Sequence, residues 1–376
     1  MLRDNPRLWA HFGEHTVDRM SVKCPTSSSA ISSDRRPQRG GLMTVQQRAT
    51  LDDVARLAGV SAKTVSRVYS HRDKVAPQTV ERVLSAGKRL RFRPNTIART
   101  LRRGGASSTV GFIMGELRNP FYYTIAAGIE KELAGAGYTL VVATTDDSAE
   151  GEERVADTLL AQRVGALMLV PVGEDQSYLE GERQLGTPVI AIDRPARNLV
   201  ADAVVLDNRA GAYEATRHLL GHGHRRIAYV CNPASVYTQT ERCRGYREAM
   251  AESGLTDARL EVLLDDTSVP PDVVVRQLLE REDPPTAIFA GNNRMCVGAL
   301  RAMRDVGATP SLIGFDDFDT ADILGVTVVT HDPVELGRRA AQLAIERMAD
   351  PAGFTTRIEL PTRLLARGSG ERPPAS

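Results

Sequence analysis

Residues 50–103 read TLDDVARLAGVSAKTVSRVYSHRDKVAPQTVERVLSAGKRLRFRPNTIARTLRR. Thr50 followed by Asp53 is a capping box, and Leu51, Val54, Ala55, Leu57 and Ala58 give the helix it opens an apolar face. Gly59 then allows a left-handed turn, Val60 points into the core and Ser61 caps a second helix. On that second helix Val65 and Val68 are spaced to pack inward, leaving Ala62, Lys63, Ser66 and Arg67 on or near the face free to enter a major groove. Pro77 suits the first position of a third helix, whose Val80, Val83 and Leu84 close a three-helix core.

Charge points the same way. The stretch holds thirteen basic and four acidic side chains, a net of plus nine on a chain whose total is +1. A basic reading head joined to an acidic body is the electrostatic pattern of a duplex-binding protein. Lys63 and Arg67 have the reach to bond guanine O6 and N7, Ala62 can touch a thymine methyl, and the hydroxyls of Ser61, Thr64 and Ser66 suit the cap and phosphate oxygens. Beyond Pro94, residues Asn95 to Leu101 span only two helical turns, well below the ~12–15 residues at which isolated helices become marginal in water. Such a segment needs a partner to fold.

At 376 residues the chain exceeds one domain. Residues 1–48 carry Ser, Arg and Pro clusters without a sustained apolar period, which predicts a disordered leader; Met43, just before the folded pattern, makes a translation start there one reading. The first twenty residues mix charges into any signal core and no apolar run approaches the ~20 residues of a membrane span, so a cytoplasmic protein without membrane contact is expected. Cys24, Cys231, Cys243 and Cys296 are widely separated and suggest neither a disulfide framework nor a zinc site. His218, His222 and His224 lack a matched ligand set, and phosphate-loop and nucleophile-elbow motifs are missing. The expectation is no metal, no cofactor and no enzyme activity.

The order LDDVARLAGVSAKTVSRV, RPNTIARTLR, VGFIMGELRNPFY, AIDRP, DNRAGAYEATRHLLGHGHRRIAYV, AIFAGNNRMCVGALRAM and IGFDDFD resembles the LacI family of bacterial transcription regulators, from about Thr50 to Arg367. The resemblance implies that Ala62, Lys63 and Arg67 read bases. It also implies that Asn95 to Leu101, Ala98 among them, form a hinge helix docking in the minor groove, with Leu101 as an intercalating wedge and Arg102 beside it along the groove. Arg91 stands where the family usually has Gly, Ala76 where it usually has a capping Ser, and Asn293 where an acid usually follows the cleft asparagine.

After residue 108 apolar strands alternate with helical stretches in two series, the second beginning near Asn208, which indicates two doubly wound parallel-sheet subdomains. The fold expected is an all-α helix-turn-helix head at 49–93, a hinge and linker at 94–107, an α/β body at 108–370 and a tail at 371–376. The resemblance makes the body periplasmic-binding-protein-like, with chain crossings near Leu206, near His331 and in 356–360. Ligands bind beyond strand carboxyl ends in such sheets, where Asn119, Phe121, Tyr122, Asp193, Arg194, Asn292 and Asp316 fall. The resemblance adds Arg242 and Asp332. The function expected is a homodimeric repressor of a pseudo-palindromic operator, controlled by a small polar effector such as a sugar. A solute-binding protein, a cleft enzyme and a regulator answering to a partner protein are the alternatives.

Overall fold

The computed structural model describes residues 48–93, 107–233, 235–264 and 269–374. All but the last residue of the expected leader, and Asn95, Ala98, Leu101 and Arg102 of the expected hinge, lie outside the described residues. The chain divides into two compact units, with the boundary between Pro94 and Asn95.

The first unit is a three-helix head: α1 (Leu51–Ala58), α2 (Ala62–Ser70) and α3 (Pro77–Arg89). The capping box forms as its residues dictate, with Asp53 N–H donating to Thr50 Oγ1 at 3.3 Å and Thr50 N–H donating to Asp53 Oδ2 at 2.9 Å. Gly59 takes φ 65°, and Ser61 Oγ accepts from Thr64 N–H at 3.1 Å to start α2. Val54, Val65, Val68, Val80 and Val83 form the core, with Leu84 packed against it. Both departures in this segment leave a structural trace. Ala76 provides no side-chain cap for α3. At the other end Phe92 N–H donates to Gly87 O and Arg91 N–H to Lys88 O, the Schellman pattern, so Arg91 is forced to φ 49°.

The second unit, the body, holds two six-stranded sheets. The first is built from β1 (Thr109–Met114), α4 (Pro120–Gly135), β2 (Thr139–Thr144), α5 (Ala149–Ala161), β3 (Leu167–Leu169), β4 (Val189–Asp193) and β5 (Asp202–Leu206), with a short α6 (Glu180–Gln184). The second contains α7 (Asn208–Gly221), β6 (Ile227–Cys231), α8 (Tyr237–Glu252), β7 (Glu261–Leu263), α9 (Pro271–Leu279), β8 (Ala287–Ala290), α10 (Asn293–Val306), β9 (Ser311–Phe315) and β10 (Thr327–Thr330). The chain then returns: α11 (Pro333–Ala349) and β11 (Arg357–Leu360) complete the first sheet, and β12 (Arg363–Leu365) closes the second. The orders are β11-β5-β4-β3-β1-β2, all parallel, and β12-β10-β9-β8-β6-β7, parallel except for β12 against β10. The third passage between sheets therefore falls at Pro361 and Thr362, just past the expected 356–360.

Central strands are buried along their whole length because helices cover both faces, which is why VIAID and SLIGF read as continuous apolar runs. In the first subdomain Phe112, Met168, Ile190 and Val204 pack with Ile125 and Ile129 of α4 and Leu336 and Ala340 of α11. The two helices approach through reciprocal glycines: a Cβ on Gly128 would meet Val334 O, and one on Gly337 would meet Ile125 O, both inside contact distance. Tyr229, Phe289 and Phe315 fill the second subdomain beneath α7 and α8.

Two substitutions test these local readings. Arg91→Gly relieves the left-handed strain and should raise head stability by about 1 kcal/mol, seen as a higher urea midpoint of the head's transition. Gly337→Ala should lower body stability by about 2 kcal/mol through overpacking against a backbone that cannot yield.

Candidate functional site

Two surfaces carry the sequence-predicted residues, one in each unit. On the head, Lys63 and Arg67 are exposed one turn apart on α2, opposite the buried Val65 and Val68. Neither takes part in an ion pair among the described residues. Ala62 and Ser66 are half-buried beside them, while Ser61 and Thr64 bond each other through their hydroxyls at 2.9 Å. The helix thus presents two free cations on a short rigid rod, the arrangement needed to carry them into a groove.

In the body, the cleft is built from strand ends. β4 ends on Asp193 and β9 is followed directly by Asp316, and both residues adopt the left-handed region, at φ 69° and 67°. The two subdomains therefore turn a carboxylate off the fourth strand of each series in the same strained way. Asp193 Oδ1 and Asp316 Oδ1 are buried and accept no hydrogen bond among the described residues. Burial pushes the Asp193 carboxyl above its ordinary range, opposed by the guanidinium groups of Arg194 and Arg242.

Cations hold the remaining oxygens. Arg194 Nε lies 3.4 Å from Asp193 Oδ2, and its Nη2 donates to the Tyr122 hydroxyl at 3.3 Å. Tyr122 is buried, which raises its phenol well above the usual value. Arg242, 4% exposed, sits 3.6 Å above the Phe315 ring, donates to Asn208 Oδ1 at 2.7 Å and Gly291 O at 2.6 Å, and lies 3.5 Å from Asp316 Oδ2. Asn208 opens α7 directly after the first chain crossing, so Arg242 ties the cleft floor to the segment that follows the crossing.

Sequence reasoning missed His331. Its side chain is 2% exposed, its Nδ1 lies 3.8 Å from Asp316 Oδ1, and neither ring nitrogen makes a hydrogen bond among the described residues. Phe121 meets it edge-on, with ring centroids 5.4 Å apart. Burial lowers the imidazole's pKa below 6.5, partly opposed by Asp316. The polar-after-strand signal existed here too, but β10 is only four residues long and the resemblance drew notice to the next residue. Asp332, the next residue, is exposed and accepts from Glu335 N–H at 3.0 Å as the cap of α11. After β10 the first residue turns in and the second caps the helix; after β5 the order is reversed, with Asp207 capping α7 and Asn208 turned in.

Asn119 and Asn292 are helix caps as well, accepting from Phe121 N–H at 3.1 Å and Met295 N–H at 2.9 Å. Asn119 also accepts from Asn293 of the other subdomain. A cavity of about 320 Å³ opens between the subdomains beside this group, lined among others by Phe121, Thr124, Asp316, Phe318 and His331. The histidines at 218 and 224 are engaged elsewhere, with Glu371 and with Thr286 and the Arg372 carbonyl.

Comparison with known proteins places both surfaces in one lineage. Residues 50–95 match the model described as bacterial regulatory proteins, lacI family, and residues 107–366 match periplasmic binding proteins and sugar binding domain of LacI family. The HTH-type transcriptional regulator CelR of Thermobifida fusca is 33% identical over 344 residues, 87% of this chain and 100% of that protein. The ribose operon repressor of Escherichia coli (strain K12) is 32% identical over 335 residues, 85% of this chain and 99% of that protein. Among solved structures, the lac repressor dimer bound to operator and the anti-inducer ONPF superposes with a TM-score of 0.75 at 25% identity, covering 86% of this chain and 99% of that one.

The buried imidazole sets a pH dependence. Unfolded chain takes up a proton at His331 near pH 6.5, whereas the folded body resists it until lower pH, so stability is lost as pH falls below about 6.5. His331→Gln should flatten the fall in melting temperature between about pH 7 and 5, measured by differential scanning calorimetry.

Proposed function

The chain belongs to the LacI family of bacterial regulatory proteins, and from that premise we propose the parts its own residues play. It is a DNA-binding transcriptional regulator, and the head's match over residues 50–95 leaves a purely solute-binding role without support. The reading is of a repressor that binds a pseudo-palindromic operator as a homodimer. Lys63 and Arg67 reach base edges, Ala62 meets a methyl, and Ser61, Thr64 and Ser66 contact or support contact with phosphates. By the family pattern, Asn95, Ala98, Leu101 and Arg102 serve at the minor groove. The relative that was solved on operator is a dimer, which supports the same assembly here.

The observation that carries the effector reading is the pair of buried, unpartnered carboxylate oxygens of Asp193 and Asp316. An occupant that donates hydrogen bonds to these oxygens would remove the cost of leaving a buried acceptor without a donor. Hydroxyls of a sugar or related polyol supply such donors from one small frame, with Phe121 as an apolar wall, and a ribose operon repressor among the relatives favours this class. Effector binding changes the relation of the subdomains and hence operator affinity, a coupling of about 1–3 kcal/mol or ~5–150-fold. No helix among the described residues is long and apolar enough to cross a membrane; we place the protein in the cytoplasm and assign it binding without turnover, as its relatives are regulators.

The test has two arms. Duplexes selected from a random pool should converge on two related half-sites, and Lys63→Ala with Arg67→Ala should lose preference for them by about 25-fold or more while retaining salt-sensitive nonspecific binding. A thermal-shift screen of sugars and polyols should yield a ligand whose stabilisation disappears in Asp193→Asn and Asp316→Asn. Selection without a consensus, or stabilisation unchanged in both Asn variants, would contradict the respective half.

A further inference from the structure

The cleft of the body is bridged by the protein itself. Two contacts join the loop after β1 to the first turn of α10 in the other subdomain: Asn293 Nδ2 donates to Asn119 Oδ1 at 3.1 Å, and Arg294 Nη1 lies 2.8 Å from Glu116 Oε1. Each contact is more specific than proximity. Asn119 Oδ1 already accepts from Phe121 N–H as the cap of α4, so the amide cannot turn round, and the group it offers across the cleft is an acceptor. An acid at 293 would face that acceptor with another; an amide faces it with a donor. The departure from the family pattern at Asn293 thus has a partner in the structure. Asn293 is also buried, at 5% exposure, so its pairing is not shared with bulk water.

Arg294 adds a second constraint. It is a cation in the first turn of α10, a turn that has no acidic residue, where the helix N-terminus disfavours positive charge. Glu116 supplies the missing anion, but only while the subdomains are together.

We propose that Asn293 and Arg294 are positioning residues for effector control: with Asn119 and Glu116 they form a latch that holds the body closed before any ligand is bound. Closure without ligand brings Asp193 and Asp316 into one buried site with an oxygen each unpaired, which opposes closing; the latch offsets part of this opposition. The ligand then meets a cleft already populated in its closed form, and its apparent affinity rises with that population. This inference rests on the effector reading for its purpose, though not for its test.

The test uses the full chain without ligand or DNA, so a body with no sugar effector would still answer it. Spin labels on cysteines introduced at the exposed Lys131 and Arg304, in chain diluted into unlabelled protein, report the distance between subdomains by pulsed electron resonance. The wild type should show a dominant short distance. Asn293→Asp should move the closed-to-open ratio at least about fivefold toward open, since a buried acceptor loses its donor. Arg294→Ala should move it about two- to fivefold, the range of a partly exposed ion pair. Raising salt to about 1 M should open the wild type by a similar factor and leave Arg294→Ala unmoved. A wild type that is open without ligand, or either variant keeping the wild-type distribution, overturns the latch.

Discussion

Two carboxylate oxygens, one on Asp193 and one on Asp316, are kept out of water with no donor among the described residues, and much of the body can be understood as the apparatus that keeps them there. Each lies on a residue in left-handed backbone at the end of a fully buried strand, a conformation that Asp tolerates better than most residues but that still costs energy. Arg194 and Arg242 neutralise the pair in part without filling the two free oxygens.

The same group touches the places where the chain passes between subdomains. Asn208, which receives the Arg242 guanidinium, lies just after the first passage, and His331 lies on the second. Both groups are thereby seated on segments that join the two subdomains. Reciprocal glycines let α11, which arrives from the second sheet, lie directly on α4.

The head follows a different economy. Its two departures from the family pattern both weaken α3: Ala76 leaves the amino end without a side-chain cap, and Arg91 holds a backbone conformation that suits glycine. In exchange Arg91 contributes positive charge to a unit whose partner is a polyanion. Part of the lost folding stability is recovered when phosphates are bound, because a ligand that binds only the folded head stabilises it.

The helices of the head, their caps and the basic face of α2 were legible in the sequence because they depend on neighbours three and four residues away. So were the two series of buried strands and the carboxylates at their ends, since each stands beside its own apolar run. The strands β5, β7, β10, β11 and β12 were not read as strands: three to five residues carry too little periodicity, and the partners of β11 and β12 lie far back in the chain. Local pattern could not separate His331 from Asp332, or a capping asparagine from one that reaches across a cleft, because each pair satisfies the same rule of a polar residue after a strand. Local sequence determined which segments become helix or strand and which polar groups stand at their ends. Only the packing of one subdomain on the other decided which of those groups face each other, since that depends on contacts between residues more than a hundred positions apart.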